Sequence, residues 1–140
     1  MALAALAAQA QEAQAAACAL RPPAYRLLYN IVEAGESGIG VSEAAGRLGV
    51  RPQALAGPAA ELAEAGLITR LVDERDSRAR RLLATPAGTA RLAPALALRA
   101  EMLKHITQAI PQASVARLVL DKLMGALRQA LPPGPVPAED

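Results

Sequence analysis

The chain has 140 residues, 53% of them hydrophobic and many of these alanine, a length that holds one domain with a modest core rather than two. Its formal charge of +2 permits an anionic partner without demanding one, so the placement of the charges matters more than their sum. One cysteine, Cys18, excludes an intramolecular disulfide framework and fits a reducing, cytoplasmic setting. With Tyr25 and Tyr29 as the sole aromatics, the core must come from Leu, Ile, Val and Ala, which favours a mainly α fold.

In the opening "MALAALAAQAQEAQAAACAL", Leu3, Leu6, Ala10, Ala13, Ala17 and Leu20 recur every three or four residues, predicting one helix with a shallow apolar stripe. No Lys or Arg precedes Arg21, and Gln9, Gln11, Glu12 and Gln14 interrupt the apolar run, so an export signal is not expected. Nor does any stretch approach the roughly 18 apolar residues of a membrane span. A helix faced mostly with methyl groups gains little alone and is expected to pack on another, including one from a second subunit.

"RPPAYRLLYNIVEAGESG" predicts a second helix, with Pro22 and Pro23 in its first turn, Ala24, Leu27, Leu28 and Ile31 on one face, and Gly35 as a left-handed stop. "VSEAAGRLGV" predicts a short third helix, N-capped by Ser42 and ended by Gly49. Next comes "RPQALAGPAAELAEAG", in which Pro58 removes a backbone donor and disfavours helical geometry at Gly57. Two outcomes are open: a helix from Pro52 kinked near residue 57, which is favoured, or one broken so that its firm part begins at Pro58.

"LITRLV" and "RRLLA" then read as strands flanking the polar "DERDSRA", a β-hairpin with a charged tip. Residues 69–81 carry Arg70, Arg75, Arg78, Arg80 and Arg81 against Asp73, Glu74 and Asp76, a local charge of +2. In "ATPAG", Thr85 is the N-cap and Pro86 the first residue of a long helix running towards Ile110 with a kink at Pro94. After Pro111, Val115, Leu118, Leu123, Leu127 and Leu131 mark the apolar side of a last helix. The tail "PPGPVPAED" has too few apolar groups to pack and is expected to be disordered.

Two short helices about a glycine turn, followed by an arginine-rich hairpin, read as a winged helix-turn-helix. At "LRPPAYRLLYNIVEAG", "VSEAAGRLGVRP", "ELAEAGLITRLVDERDSRARRLLATPAG" and "VARLVLDKLMGALRQAL" the sequence resembles the MarR family of bacterial transcriptional regulators. The wing is the most specific part: Asp76-Ser77-Arg78 and Ala84-Thr85-Pro86-Ala87-Gly88 follow an Asp-x-Arg and Leu-Thr-x-x-Gly pattern, departing at the leucine.

The resemblance implies a mainly α fold with a small β-hairpin wing, built as a winged helix-turn-helix (21–88) between dimerisation helices (1–20 and 89–131), with a tail over 132–140. It implies a homodimer, probing the two half-sites of a pseudo-palindromic operator in double-stranded DNA, as a repressor released by a small aromatic effector or an oxidant. The expected DNA contacts are Arg47, Arg51, Gln53, Ala54, Arg75, Arg78 and Arg80, with Asp76 orienting a neighbouring arginine. Arg78 at the tip suits a narrow minor groove, Gln53 an adenine edge and Ala54 a thymine methyl. Few other base-reading side chains stand in this stretch, so phosphate contacts are expected to dominate. The alternative is a relative that has lost sequence-specific DNA binding and acts as a protein- or ligand-binding module.

Cys18, Tyr25, Tyr29 and His105 are the candidates for lining an effector pocket at the junction of dimerisation helices and reading head. Each has a plainer reading. A cysteine in an apolar helix is usually a small core residue, and tyrosines fill core space while finding a hydroxyl partner. Peroxide-sensing relatives place their cysteine further ahead of the helix-two proline than Cys18 stands ahead of Pro22. His105 has only Glu101 at a suitable spacing, so neither a metal nor a cofactor is expected. No nucleophile–base pair, phosphate loop or paired carboxylates stand out, and an enzyme is not expected.

Overall fold

The computed structural model describes residues 2–72, 80–109 and 114–130. Helix α1 (Ala2–Ala17) buries Ala7, Ala10, Gln14 and Ala15, with Cys18 just beyond its end, and packs on three later helices, α2 (Pro22–Glu33), α6 (Ala93–Ala109) and α7 (Ser114–Ala130). The expected stripe is therefore turned: Leu3 and Leu6 face outward, 41% and 56% exposed, and Ala13 and Ala17 are also exposed. Small side chains let neighbouring helix backbones come close, so alanines take the inner face and leave the leucines outside.

Helix α2 supplies the centre of the core. Its prolines occupy the first turn, where no intrahelical donor is needed, and Tyr25, Leu27, Leu28 and Ile31 are almost fully buried. Gly35 takes the expected left-handed φ of 70° after the helix. A short strand that the sequence pattern did not mark, β1 (Ile39–Gly40), follows, then α3 (Val41–Leu48). Ser42 is not the N-cap: that place falls to Gly40, which makes no side-chain cap, because pairing in the sheet holds residues 39–40 extended up to the helix start. Gly49, at φ 66°, ends α3 as expected.

The proline question resolves between the two alternatives. Pro52–Leu55 forms a 3₁₀ turn that runs directly into α4 (Ala56–Glu64), so the winding changes at residues 55–56 and Pro58 falls in the first turn of the α-helix. The donor it lacks has no α-helical acceptor there, and the large interior penalty does not arise. Pro58→Ala is accordingly expected to shift unfolding free energy by no more than about 1 kcal/mol. Urea denaturation giving a gain of several kcal/mol would contradict this placement.

The hairpin forms as expected from β2 (Ile68–Val72) and β3 (Arg80–Ala84), in register from Ile68 opposite Ala84 to Val72 opposite Arg80. The sheet order is β1-β3-β2, all antiparallel, with Ile39, Ile68 and Leu82 buried. Thr85 caps α5 (Pro86–Arg91), its Oγ1 accepting from the Gly88 N–H at 3.1 Å. The long helix expected from Pro86 is divided at buried Leu92, and Pro94 sits in the first turn of α6 rather than at a mid-helix kink. Residues 132–140 lie outside the described residues, and no described helix is long and apolar enough to cross a membrane.

Candidate nucleic-acid interface

The corner between α3 and α4 gathers four of the expected contact residues. Arg47 lies in the last turn of α3 and donates to Glu43 Oε1 at 2.8 Å, so its charge is partly engaged within its own helix. Arg51 leads into the 3₁₀ turn and is exposed, as are Gln53 and Ala54. The turn packs against α3, which itself touches β3, so the reading stretch is mounted on both the preceding helix and the hairpin.

On the hairpin, Arg70 and Arg80 are exposed. Arg81 has a structural task instead: its Nε donates to the Ser37 carbonyl at 3.0 Å and Nη2 to the Gly38 carbonyl at 2.9 Å, tying β3 to the turn before β1. Part of the wing's positive charge is thus spent inside the fold. Arg75, Asp76 and Arg78 lie outside the described residues. A further link, missed in the sequence, joins the α1–α2 corner to α4: Arg21 donates through Nε and Nη2 to Glu61 Oε2 at 2.9 and 2.6 Å. The two residues stand 40 apart in the chain, beyond the reach of any local pattern.

Three of the four junction candidates share one buried cluster: the Tyr25 and Tyr29 ring centroids lie 6.4 Å apart and Cys18 is close enough to Tyr25 to interact with it, whereas His105 is exposed on α6. The Tyr25 hydroxyl donates to Gln14 Oε1 at 2.6 Å inside the core, binding α2 to α1. Tyr29 accepts from Arg99 Nη1 at 3.0 Å, and the same guanidinium carbon lies 5.9 Å from the Tyr29 ring centroid. Cys18 is buried, and desolvation raises its thiol pKa, an effect that a backbone hydrogen bond with Ala95 and the charge of Arg91 only oppose. Less thiolate means lower reactivity. His105 is exposed, its Nδ1 donating to the Glu101 carbonyl at 2.8 Å one turn back. Among the described residues, no group of three His, Cys, Asp or Glu is placed to hold a metal.

A cavity of about 190 Å³ opens between α1, α6 and α7, lined by Gln14, Arg99, Met102, Ile106, Met124 and Leu127. Its polar groups, Gln14 and Arg99, are the partners of the two tyrosines, which makes them the pocket-facing members of each pair. A glutamine among alanines was the available signal for Gln14. Burial pushes Tyr25 up to about 12, so its ionisation favours the unfolded chain. The stability this raised pKa confers is complete below the ordinary tyrosine range near pH 10 and is lost as pH climbs towards 12. Thermal unfolding of Tyr25→Phe followed from pH 8 to pH 11 should lose less stability than the parent over that interval; parallel curves would contradict the burial of the hydroxyl.

Helix, glycine turn, reading stretch and antiparallel hairpin in this order define a winged helix-turn-helix. Residues 20–79 match the sequence model of the MarR family. The solved structures similar in fold include a MarR-family transcriptional regulator from Rhodococcus sp. RHA1, at 24% identity and TM-score 0.68 over 88% of this chain and 85% of that one. CouR from Rhodococcus jostii RHA1, solved bound to p-coumaroyl-CoA, is 25% identical with TM-score 0.67 over the same shares, 88% and 85%. The S. aureus MepR–DNA complex is 18% identical with TM-score 0.59, over 85% of this chain and 90% of MepR. No curated protein matches the chain by sequence. The chain carries the winged helix-turn-helix fold seen in these solved MarR-family structures.

Proposed function

We propose that the chain is a homodimeric, DNA-binding transcriptional regulator of the cytoplasm, a repressor released from its operator by a small-molecule effector or an oxidant. The observation that carries this reading is the α3–α4 corner, where Arg51, Gln53 and Ala54 stand exposed on a stretch mounted against α3 and the hairpin. The MepR complex with DNA and the CouR complex with p-coumaroyl-CoA support the two halves of it by analogy of fold. For the homodimer, support comes from apolar residues left outside: Leu3 and Leu6 on α1, Leu96 on α6, Leu118 and Val119 on α7. In this reading α1 and α6–α7 join the two subunits, while residues 21–88 meet the DNA, with Arg75 and Arg78 at the wing and Asp76 orienting one of them.

Base readout is weak in this proposal. Ala54, Ala56 and Gly57 offer no hydrogen-bonding side chain, leaving Gln53 as the base reader and Arg47, Arg51 and Arg80 on phosphates. The same poverty favours the second reading, a MarR-like dimer that has lost sequence-specific binding and acts through protein or ligand contacts. Arg51→Ala tests the phosphate contact itself. A phosphate-bound Arg51 predicts severalfold weaker DNA binding on every sequence and a salt slope shallower by about one unit. Fluorescence anisotropy giving the parent slope and affinity would remove Arg51 from the interface.

A further inference from the structure

A second cleft, of about 310 Å³, lies under the reading stretch, where the start of α2 meets the end of α3 and the 3₁₀ turn. Its walls are Pro22, Leu48, Val50, Leu55 and Pro58, all saturated side chains. Among them runs the half-buried side chain of Arg26. The guanidinium is poorly satisfied: Nη2 reaches only the Leu48 carbonyl, at a long 3.4 Å, and the buried Nε has no partner among the described residues. A cation with spare donors beside an apolar wall is costly to keep unless an acceptor arrives, and a carboxylate matches the guanidinium fork best. Gln11 of α1 adds an amide to the same cleft.

The walls also select the body of the ligand. Both aromatic residues of the chain are elsewhere, Tyr25 bonded to Gln14 and Tyr29 to Arg99, so no aromatic ring is available for stacking. Proline, leucine and valine suit a flexible saturated chain, and the volume stands at the lower end of ligand pockets. We propose that this cleft binds a medium-chain aliphatic carboxylate, its head on the Arg26 guanidinium and its chain along Leu48, Val50, Leu55 and Pro58. The site is distinct from the cavity between α1, α6 and α7, and it gives Pro58 a part: its ring closes one wall beneath the reading stretch. Naming the occupant as an effector rests on the regulator reading; its binding does not.

The test is calorimetric titration of the full chain, without DNA, with octanoate, 1-octanol and benzoate, repeated on Arg26→Met and Val50→Glu. Arg26→Met keeps the apolar stem and removes the donors; Val50, 38% exposed, accepts a glutamate that repels a carboxylate without disturbing the core. Octanoate should bind the parent, more tightly than either comparison compound, and lose about tenfold or more in each variant. Absence of octanoate binding, equal binding of benzoate or 1-octanol, or parent-like octanoate affinity in folded Arg26→Met and Val50→Glu would overturn the proposal. A chain that binds octanoate through Arg26 but no DNA would sink the regulator reading and leave the site standing; one that binds DNA but no octanoate would do the reverse.

Discussion

Gly88→Ala is expected to cost about 3 kcal/mol of folding free energy. A Cβ at residue 88 would stand 2.0 Å from the Leu67 carbonyl oxygen and 3.0 Å from its carbon, with Leu28 Cδ1 at 3.4 Å. The obstacle is backbone, and it is held in place: the same Leu67 oxygen accepts the Thr85 N–H at 3.0 Å, while Thr85 Oγ1 donates to the Gly66 carbonyl at 2.7 Å. Moving α5 away to admit the methyl would pull on both bonds and on the Thr85 cap of Gly88, so the entry to the hairpin and the exit from it would loosen together. Gly57→Ala is the matched control. A Cβ there meets nothing within 4 Å, and the change should be neutral or stabilise by up to about 1 kcal/mol. Equal urea midpoints for the two variants would contradict the close approach of α5 to residue 67.

Gly38→Ala is expected to destabilise by at least about 2 kcal/mol, for a second reason added to crowding. Its backbone, at φ 66° and ψ −172°, lies in a region that only glycine occupies without strain, and a Cβ would meet the Leu82 carbonyl oxygen at 2.5 Å. This residue also presents its own carbonyl to Arg81 Nη2. The change should therefore fall first on the β1–β3 pairing, Ile39 opposite Leu82, and show as faster hydrogen exchange at sheet amides while α1 amides keep their protection. Uniform loss of protection across the chain would mean that β1 is not a separate support of the hairpin.

Both glycines mark what a local pattern conveys and what it does not. The need for glycine at 88 was legible only as part of the Ala-Thr-Pro-Ala-Gly resemblance; its cause is a backbone 21 residues earlier, at Leu67. Helices starting at proline and ending at left-handed glycine were readable because those signals are local, as Pro22, Gly35, Gly49 and the Thr85 cap demonstrate. Where the structure departs from expectation, a tertiary contact decides. The sheet moves the N-cap of α3 from Ser42 to Gly40, and close packing of α1 puts alanines inside and Leu3 and Leu6 outside. At Pro58 the interior-helix penalty did not apply, since the 3₁₀ turn lets the α-helix begin two residues before it. The exposure of Arg51, Gln53 and Ala54 at the α3–α4 corner followed from their order in the chain. Arg81, Arg21 with Glu61, Gln14 and Arg99 did not, because each acts through a partner distant in sequence.

A regulator of the kind proposed holds one particular DNA site in preference to others. The most direct measurement is anisotropy titration of the full chain on a duplex from the DNA upstream of its own coding sequence and on a scrambled duplex of equal composition, over a series of salt concentrations. Tighter binding to the native duplex is expected at every salt, with affinity for both falling steeply as salt rises because phosphate contacts dominate. Indistinguishable affinities for the two duplexes, or no binding to either at low salt, would contradict it.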